Sequence, residues 1–205
     1  MLIADVDAGT LTGVVEMIAA QGYAISPGFI DLTTVAALRA TAVRFDEAGL
    51  LRPAAVGRGR ARIERNDIRG DHIRWLDDDA DDAGERALRT TLEALRVVAN
   101  RKLNLGLLEL EAHYAIYPVG THYARHVDRF RGDDARVLSI VLYLNDWWRT
   151  EDGGMLRLYL SANRSIDVLP QGGTLVAFLS DRFAHEVLLT ARRRMSIAGW
   201  FRRRT

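Results

Sequence analysis

The chain has 205 residues, of which 48% are apolar and 27% are charged, proportions typical of a globular protein with enough material for a hydrophobic core. Its 28 basic and 27 acidic residues give a net charge of +1, which argues against a nucleic-acid-binding protein that relies on a large positive field. Cysteine is absent, which excludes disulfide bonds, thiolate zinc sites, iron–sulfur clusters and a cysteine nucleophile, so any metal ion must be held by His, Asp or Glu.

The amino-terminal residues include no basic region followed by a long apolar one, so we expect no secretory signal. No stretch approaches the roughly 18 uninterrupted apolar residues of a transmembrane helix. The sequence therefore predicts a soluble, cytoplasmic protein with neither a membrane nor a nucleic acid as partner.

Residues 1–104 have mainly helical patterns, in which apolar residues recur three or four positions apart. A glycine follows the first and second patterns, and an Asp-Leu-Thr-Thr segment resembles the start of the second. This half is predicted to be a helical support that also holds short strands and a substrate loop. The helices are predicted at 11–22, 31–49 and 85–101, and the short strands at 23–25 and within 62–75.

Residues 105–205 have the pattern of short strands, because β-branched and aromatic runs alternate with Gly, Pro, Asn and Asp. No helical pattern separates these runs, so the strands are expected to pair antiparallel in a barrel or in two facing sheets. We predict an all-β core, a double-stranded β-helix or jelly roll, in a single domain of residues 1–205. The predicted strands are 108–117, 123–127, 137–144, 155–160, 174–179, 186–189 and 195–201.

The segment 122–128 contains residues suited to metal binding. Residues i and i+2 of a strand lie on the same side, so His126 and Asp128 can reach one ion together. His185 begins a later strand and can supply a third ligand. Two imidazoles and one carboxylate on one face of a divalent iron-type ion leave its other positions open. A His-x-Asp tripeptide alone is common, and a histidine beside a surface aspartate is the alternative; His122 is not expected to be a ligand.

The last predicted strand begins at Arg194. Alternation places Arg194, Ser196 and Trp200 on one face of this strand. A guanidinium and a hydroxyl that face into a barrel can clamp a carboxylate, because the guanidinium can bond both of its oxygens. The alternative is that Arg194 is an exposed member of the basic run 192–194.

Taken in order, these motifs resemble the Fe(II)/2-oxoglutarate-dependent oxygenases. Within them the sequence resembles the prolyl hydroxylase domain family, which includes the hypoxia-inducible factor prolyl hydroxylases and bacterial relatives. The resemblance extends from about residue 62 to residue 202. Its most specific parts are DIRGD at 67–71, YP at 117–118, YARHVD at 123–128, LYLN at 142–145, GGMLR at 153–157, SDR at 180–182, HEV at 185–187 and Arg194.

The resemblance implies roles for particular residues. The implied ligands of Fe(II) are His126, Asp128 and His185. The implied ligands of 2-oxoglutarate are Arg194, Tyr117, Tyr143 and Ser196. Trp200 and Leu156 would line the substrate pocket, while Arg136 and Asp71 would form a pair that orders the loop over the site. For the aromatic residues a place in the core is the alternative, and for the charged pair a surface salt bridge.

The function implied is prolyl 4-hydroxylation of a protein or peptide, in which O2 and 2-oxoglutarate are consumed and succinate and CO2 are released. Ascorbate is the expected reductant, and elongation factor Tu is a candidate substrate by resemblance to bacterial members. Two alternatives stay open. One is hydroxylation of a free amino acid or small metabolite by the same chemistry, and the other is a non-enzymatic metal-binding jelly-roll module. We expect a monomer or a dimer.

The segment after Trp75 corresponds to a loop that covers the peptide substrate in the family. In this chain it contains the acidic run 77–82, which predicts a solvated loop because like charges repel one another and prefer water. A substrate-facing role for this run is the alternative.

Overall fold

The computed structural model describes residues 7–56, 63–65, 67–77, 82–129 and 135–204. Within these residues, three helices lie where the apolar periodicity predicts them, and local caps explain their ends. Gly22 ends the first helix with a φ of 85°, a left-handed conformation that glycine adopts without a steric penalty. Asp31 and Asp82 precede the second and third helices and accept hydrogen bonds from backbone N–H groups of the first turn. The helices are α1 (Ala8–Gln21), α2 (Leu32–Glu47) and α3 (Ala83–Leu103).

The strands are β1 (Tyr23–Ser26), β2 (Arg52–Pro53), β3 (Ala55–Val56), β4 (Ile63–Glu64), β5 (His72–Trp75), β6 (Glu109–Tyr117), β7 (Tyr123–His126), β8 (Arg136–Tyr143), β9 (Leu156–Ser161), β10 (Arg164–Val168), β11 (Leu175–Leu179), β12 (His185–Val187) and β13 (Arg194–Arg202). Every strand predicted after residue 105 is present. The sequence pattern did not predict β10, because only Ile166 and Val168 in it are apolar and most of the strand is exposed.

The described strands form two larger antiparallel sheets and one two-stranded sheet. The larger sheet has seven strands in the order β1-β11-β8-β13-β6-β5-β2, so strands from the first 104 residues extend the sheet on both sides. The second sheet has four strands in the order β10-β9-β12-β7, and β3 pairs with β4 in the two-stranded sheet. Apolar side chains of both sheets, such as Leu158 and Phe178, pack against one another. This is the jelly-roll core with supporting helices that the sequence predicts.

Alternation along the strands gives the seven-stranded sheet two different faces. On β6, Ala112, Tyr114 and Ile116 belong to the apolar core that includes the helices. Ala115 and Tyr117, on the opposite face of β6, belong to the cluster between the two sheets. The helices therefore close one face of the sheet, and the four-stranded sheet covers the other. Among the described helices, none is both long enough and apolar enough to cross a bilayer.

The acidic run is not entirely a solvated loop. Asp82 is the N-cap of α3, and it also accepts a hydrogen bond from the Thr41 hydroxyl at 2.8 Å. A carboxylate at a helix amino terminus is stabilised by the unpaired N–H groups there. This explains why Asp82 caps α3 and is not part of a solvated loop as predicted. The prediction for positions 78–81 lies outside the described residues.

Candidate active site

A cavity of about 520 Å³ lies between the two sheets. The sequence-predicted site residues line this cavity, with the exception of Tyr143. These residues come from distant parts of the chain, and the two sheets bring them together.

His126, Asp128 and His185 form one cluster. His126 and His185 are direct partners across the antiparallel pair β7–β12, and Asp128 follows the end of β7. One ligand atom of each residue lies within 4.8 Å of the others. The Nε2 atoms of both histidines are 3.7 Å from oxygens of the Asp128 carboxylate. Two imidazoles and a carboxylate at this spacing could hold one divalent metal ion.

The histidine rings are held so that Nε2 faces the cluster. His126 Nδ1 lies 2.8 Å from the Ala124 carbonyl, and His185 Nδ1 lies 3.2 Å from the Phe183 carbonyl. A carbonyl only accepts hydrogen bonds, so the Nδ1 of each ring is the nitrogen that donates, and Nε2 is the nitrogen that faces the cluster. Burial and the neighbouring His185 lower the pKa of His126 to about 4, which favours the neutral ring.

Asp128 is held as a buried carboxylate. Burial by itself would raise the pKa of its carboxyl, but the two histidines and the Ser139 hydroxyl outweigh that effect, so the pKa is lowered. Ser139 Oγ, on β8, donates to Asp128 Oδ2 at 2.7 Å and lies 2.9 Å from Ser180 Oγ. A hydrogen-bonded carboxylate has a defined orientation, which is what a metal ligand requires.

Arg194 lies on the cavity face of β13 with 1% of its surface exposed. Its Nε donates to the Gly154 carbonyl at 2.8 Å, and its Nη1 donates to Ser196 Oγ at 3.2 Å. The guanidinium carbon is 4.9 Å from the ring centre of Tyr117 and 5.2 Å from that of Tyr143. Within the described ranges, no acidic side chain forms a salt bridge with Arg194. A buried cation with these neighbours could bind a carboxylate that comes from outside the chain.

Tyr143 has a buried hydroxyl with no hydrogen-bond partner in the described part of the protein. Burial raises the pKa of Tyr143 to about 12, against the opposing effect of Arg194, so its hydroxyl is a proton donor at neutral pH. Burial also raises the pKa of Tyr117, which likewise stays protonated. An unpaired buried hydroxyl costs about 1–3 kcal/mol. A bound carboxylate beside Arg194 would remove that cost at Tyr143.

The predicted pair of Asp71 and Arg136 is wrong. Arg69 instead donates a hydrogen bond to each carboxylate oxygen of Asp71, from Nε at 2.7 Å and from Nη2 at 2.9 Å. Such a two-point contact gives each oxygen of the buried carboxylate a charge-assisted hydrogen bond. Arg136 lies with its guanidinium carbon 3.6 Å from the ring centre of Trp200. Both predicted residues do line the cavity.

The predicted substrate-pocket residues Trp200 and Leu156 are buried on opposite sheets and both line the cavity. Trp200 also lies beside the metal-type cluster, because Arg136 contacts its ring and donates to the Asp128 backbone carbonyl at 3.4 Å. The apolar part of the cavity is thus adjacent to the cluster that could hold a metal ion.

Comparison with known proteins gives the same result as the geometry. Residues 112–202 match the family model of the 2OG-Fe(II) oxygenase superfamily. The crystal structure of a prolyl-4-hydroxylase from Pseudomonas putida is 42% identical in sequence, with a TM-score of 0.87, and the match covers 95% of this chain and 100% of that one. The chain belongs to the prolyl hydroxylase family of 2OG-Fe(II) oxygenases. The predicted jelly-roll fold and family are confirmed.

This oxygenase also resembles animal members of the family. A prolyl hydroxylase from Trichoplax adhaerens, solved with a hypoxia-inducible factor peptide, is 27% identical with a TM-score of 0.85, over 94% of this chain and 89% of that one. The hypoxia-inducible factor prolyl hydroxylase of Caenorhabditis elegans is 33% identical over 169 residues, which are 77% of this chain but 23% of the nematode protein. Mouse prolyl hydroxylase EGLN3 is 32% identical, and 66% of its length is covered.

Sequence reasoning gave no role to two residues of the oxygenase that support the cluster. One is Ser139, a hydroxyl residue in the otherwise apolar strand β8; that contrast was a usable signal. The other is Arg69, which lies within the quoted DIRGD motif. Its guanidinium carbon is 4.7 Å from the ring centre of Tyr123, which in turn stacks on His126 with 3.7 Å between ring centres. Arg69 and Tyr123 thus support the His126 ring through a chain of ring contacts.

The oxygenase's residues fit the iron ion and the 2-oxoglutarate that its family name implies. The cluster offers two imidazole nitrogens and a carboxylate, ligands that suit Fe(II) and leave positions open. The buried, unpaired hydroxyl of Tyr143 and the buried guanidinium of Arg194 match a dicarboxylate cosubstrate.

Proposed function

We propose that this chain is an Fe(II)- and 2-oxoglutarate-dependent dioxygenase that hydroxylates a prolyl residue of a protein at C4. The observation that supports this most directly is one cavity that joins the three-residue cluster to the buried Arg194. In this proposal His126, Asp128 and His185 hold Fe(II). When bound, Fe(II) and 2-oxoglutarate supply the oxygen activation that hydroxylates an unactivated C–H bond, with release of succinate and CO2.

The protein's own part is to bind and orient. Arg194 pairs with the distal carboxylate of 2-oxoglutarate, and the hydroxyl of Ser196 helps to orient the guanidinium. Tyr143 and Tyr117 remain protonated and donate hydrogen bonds to the cosubstrate. Because Arg194 is deeply buried, a carboxylate bound to it is shielded from water and competing ions, and the pairing is strong.

The substrate pocket in this proposal is the apolar end of the cavity, formed by Trp200 and Leu156. These surfaces fit the pyrrolidine ring of a proline, which presents CH groups and no charge. Bacterial elongation factor Tu is the protein substrate we propose to test, and ascorbate the reductant that keeps the iron in the ferrous state. Arg69 and Asp71 border the cavity as a neutral pair, so they add little net charge for a substrate to match.

The first test is succinate formation by the purified protein with Fe(II), 2-oxoglutarate, ascorbate and air. We expect slow succinate formation alone and faster formation with purified elongation factor Tu or with capped pentapeptides that contain a central proline. Mass spectrometry should then show the gain of one oxygen on the proline. The matched control peptides have alanine at the central position and should give neither effect.

The outcomes separate the candidate substrates. Stimulation by free L-proline and not by the peptides would overturn the protein substrate in favour of a small-molecule hydroxylase. Failure of the iron-loaded protein to bind 2-oxoglutarate or to form succinate would overturn the proposed dioxygenase activity. If the peptides stimulate succinate formation and elongation factor Tu does not, only elongation factor Tu is excluded as the substrate.

A further inference from the structure

His113 lies in the middle of β6 on the face that lines the cavity. Its direct neighbours across the sheet are Trp75 on β5 and Ala198 on β13. The two residues beside it in sequence face the helical core, so alternation alone directs His113 towards the substrate side. Neither the metal-type cluster nor the Arg194 corner includes this histidine.

The imidazole of His113 is enclosed by two tryptophans. Its ring centre is 5.0 Å from that of Trp75, edge to face, and 5.5 Å from that of Trp200. Trp75 is 45% exposed, whereas Trp200 is 8% exposed and is linked to Asp128 through Arg136. His113 therefore lies between a surface-exposed tryptophan and the tryptophan next to the metal-type cluster.

Both ring nitrogens of His113 are buried without a hydrogen-bond partner in the described part of the chain. Burial and the nearby Arg69 lower the pKa of His113 to about 3, so the ring is neutral at physiological pH. A neutral imidazole has one N–H donor and one acceptor nitrogen. The two nitrogens give no advantage in packing against Trp75 and Trp200, because an apolar side chain of the same size would fill the space without leaving buried polar atoms unpaired.

We propose that His113 determines specificity by donating a hydrogen bond from its ring N–H to a backbone carbonyl of the peptide that presents the target proline. A peptide-bonded proline has a carbonyl acceptor and no N–H, so a donor on the wall is the complementary group. A neutral ring also matches a neutral peptide unit better than it matches the ammonium and carboxylate of a free amino acid. This inference rests on the proposed prolyl substrate and adds a residue to its recognition.

The test compares His113→Leu, which keeps the volume and removes both nitrogens, with His113→Gln, which keeps a donor and an acceptor. The control is His72→Leu, because His72 is a histidine of β5 that does not line the cavity. The dissociation constants of capped pentapeptides with a central proline are measured by calorimetry on protein loaded with Mn(II) and 2-oxoglutarate. The KM for these peptides, kcat and the thermal unfolding midpoint are measured for each variant.

We expect His113→Leu to weaken peptide binding about tenfold, the effect of one lost hydrogen bond, and to raise KM more than it lowers kcat. His113→Gln should recover most of the affinity, His72→Leu should bind like the wild type, and the unfolding midpoint of His113→Leu should not fall. Equal affinity in wild type and His113→Leu would overturn the proposal, as would a Gln variant no better than Leu. If the wild type forms succinate but binds no peptide, the prolyl substrate is wrong and this inference is wrong with it.

Discussion

The two faces of the seven-stranded sheet are made from the same strands, yet they differ in polarity, most clearly on β13. On β13, Ile197 and Phe201 are buried in the apolar core that the helices complete. Their neighbours Arg194, Ser196 and Trp200 face the cavity and are just as inaccessible. Burial is therefore the same on both faces, while polarity is not.

This difference shows where the fold is stabilised and where it is prepared for ligands. The helix side of β13 gains free energy from apolar contacts that are complete in the protein alone. The cavity side keeps a buried guanidinium without an acidic partner among the described residues, and polar atoms of Tyr143, Trp200 and His113 without hydrogen bonds. Such groups lower stability when they are unpaired, and a bound ligand that pairs with them would remove that cost. Substitutions on the two faces should accordingly affect different measurements.

The largest effect is expected from His185→Ala on the cavity side. Loss of one of three metal ligands should lower succinate formation by at least about a hundredfold, more than the usual effect of losing an outer hydrogen bond to a ligand. The free energy of unfolding should change little. The His72→Ala variant, on neighbouring β5, is the control for loss of an imidazole. A wild-type rate in His185→Ala would contradict the assignment of the cluster.

On the helix face, Ile197→Ala should destabilise the protein by about 2–5 kcal/mol, because it leaves a cavity in the core. Urea unfolding measures this change, and the KM for 2-oxoglutarate of the folded enzyme should remain that of the wild type. Ser196→Ala, one position away on the other face, should do the reverse: a small loss of stability and a raised KM for 2-oxoglutarate. If both variants changed both quantities alike, the contrast between the faces would be incorrect.

An intermediate effect is expected from Ser139→Ala. This variant removes the hydroxyl that donates to Asp128, and metal affinity should fall about ten- to a hundredfold. Titration of the protein with Mn(II), followed by electron paramagnetic resonance, measures the affinity directly. Ser139→Thr, which retains a hydroxyl, should be closer to the wild type; equal losses in both variants would point to packing instead of the hydrogen bond.

The smallest effect lies outside both faces, at the start of α2. Asp31 accepts hydrogen bonds from the Thr34 hydroxyl and backbone N–H, which hold the pKa of its carboxyl below the ordinary value of 3.8. Asp31→Ala should cost about 1 kcal/mol at pH 7. Because the folded pKa is depressed, this contribution is complete above pH 3.8 and decreases as the pH falls through the folded pKa. Urea unfolding of the wild type and of Asp31→Ala at pH 7 and at low pH measures how this contribution to the free energy of unfolding changes with pH. The Asp31→Asn variant has no carboxyl at this position, so its cap should not depend on pH.

The sequence was a good guide to local features. The glycine after α1, the aspartate before α2 and the side-chain alternation on β13 depend on residues a few positions apart, and the structure agrees with each prediction. The pattern of β10 was missed because an exposed strand at a sheet edge needs few apolar residues. It pairs with β9 along its whole length, and only Val168 in it is buried.

What the sequence by itself determined, then, was the order of helices and strands, the capping residues, the common face of Arg194 and Ser196, and the family motifs. The tertiary structure alone decided that Arg136 lies over Trp200 instead of pairing with Asp71, and that His126 lies directly opposite His185 across β7 and β12. The physical reason is the range of the interactions. Caps and alternation follow from backbone geometry within one turn or strand, whereas contacts across sheets depend on register and loop closure throughout the chain.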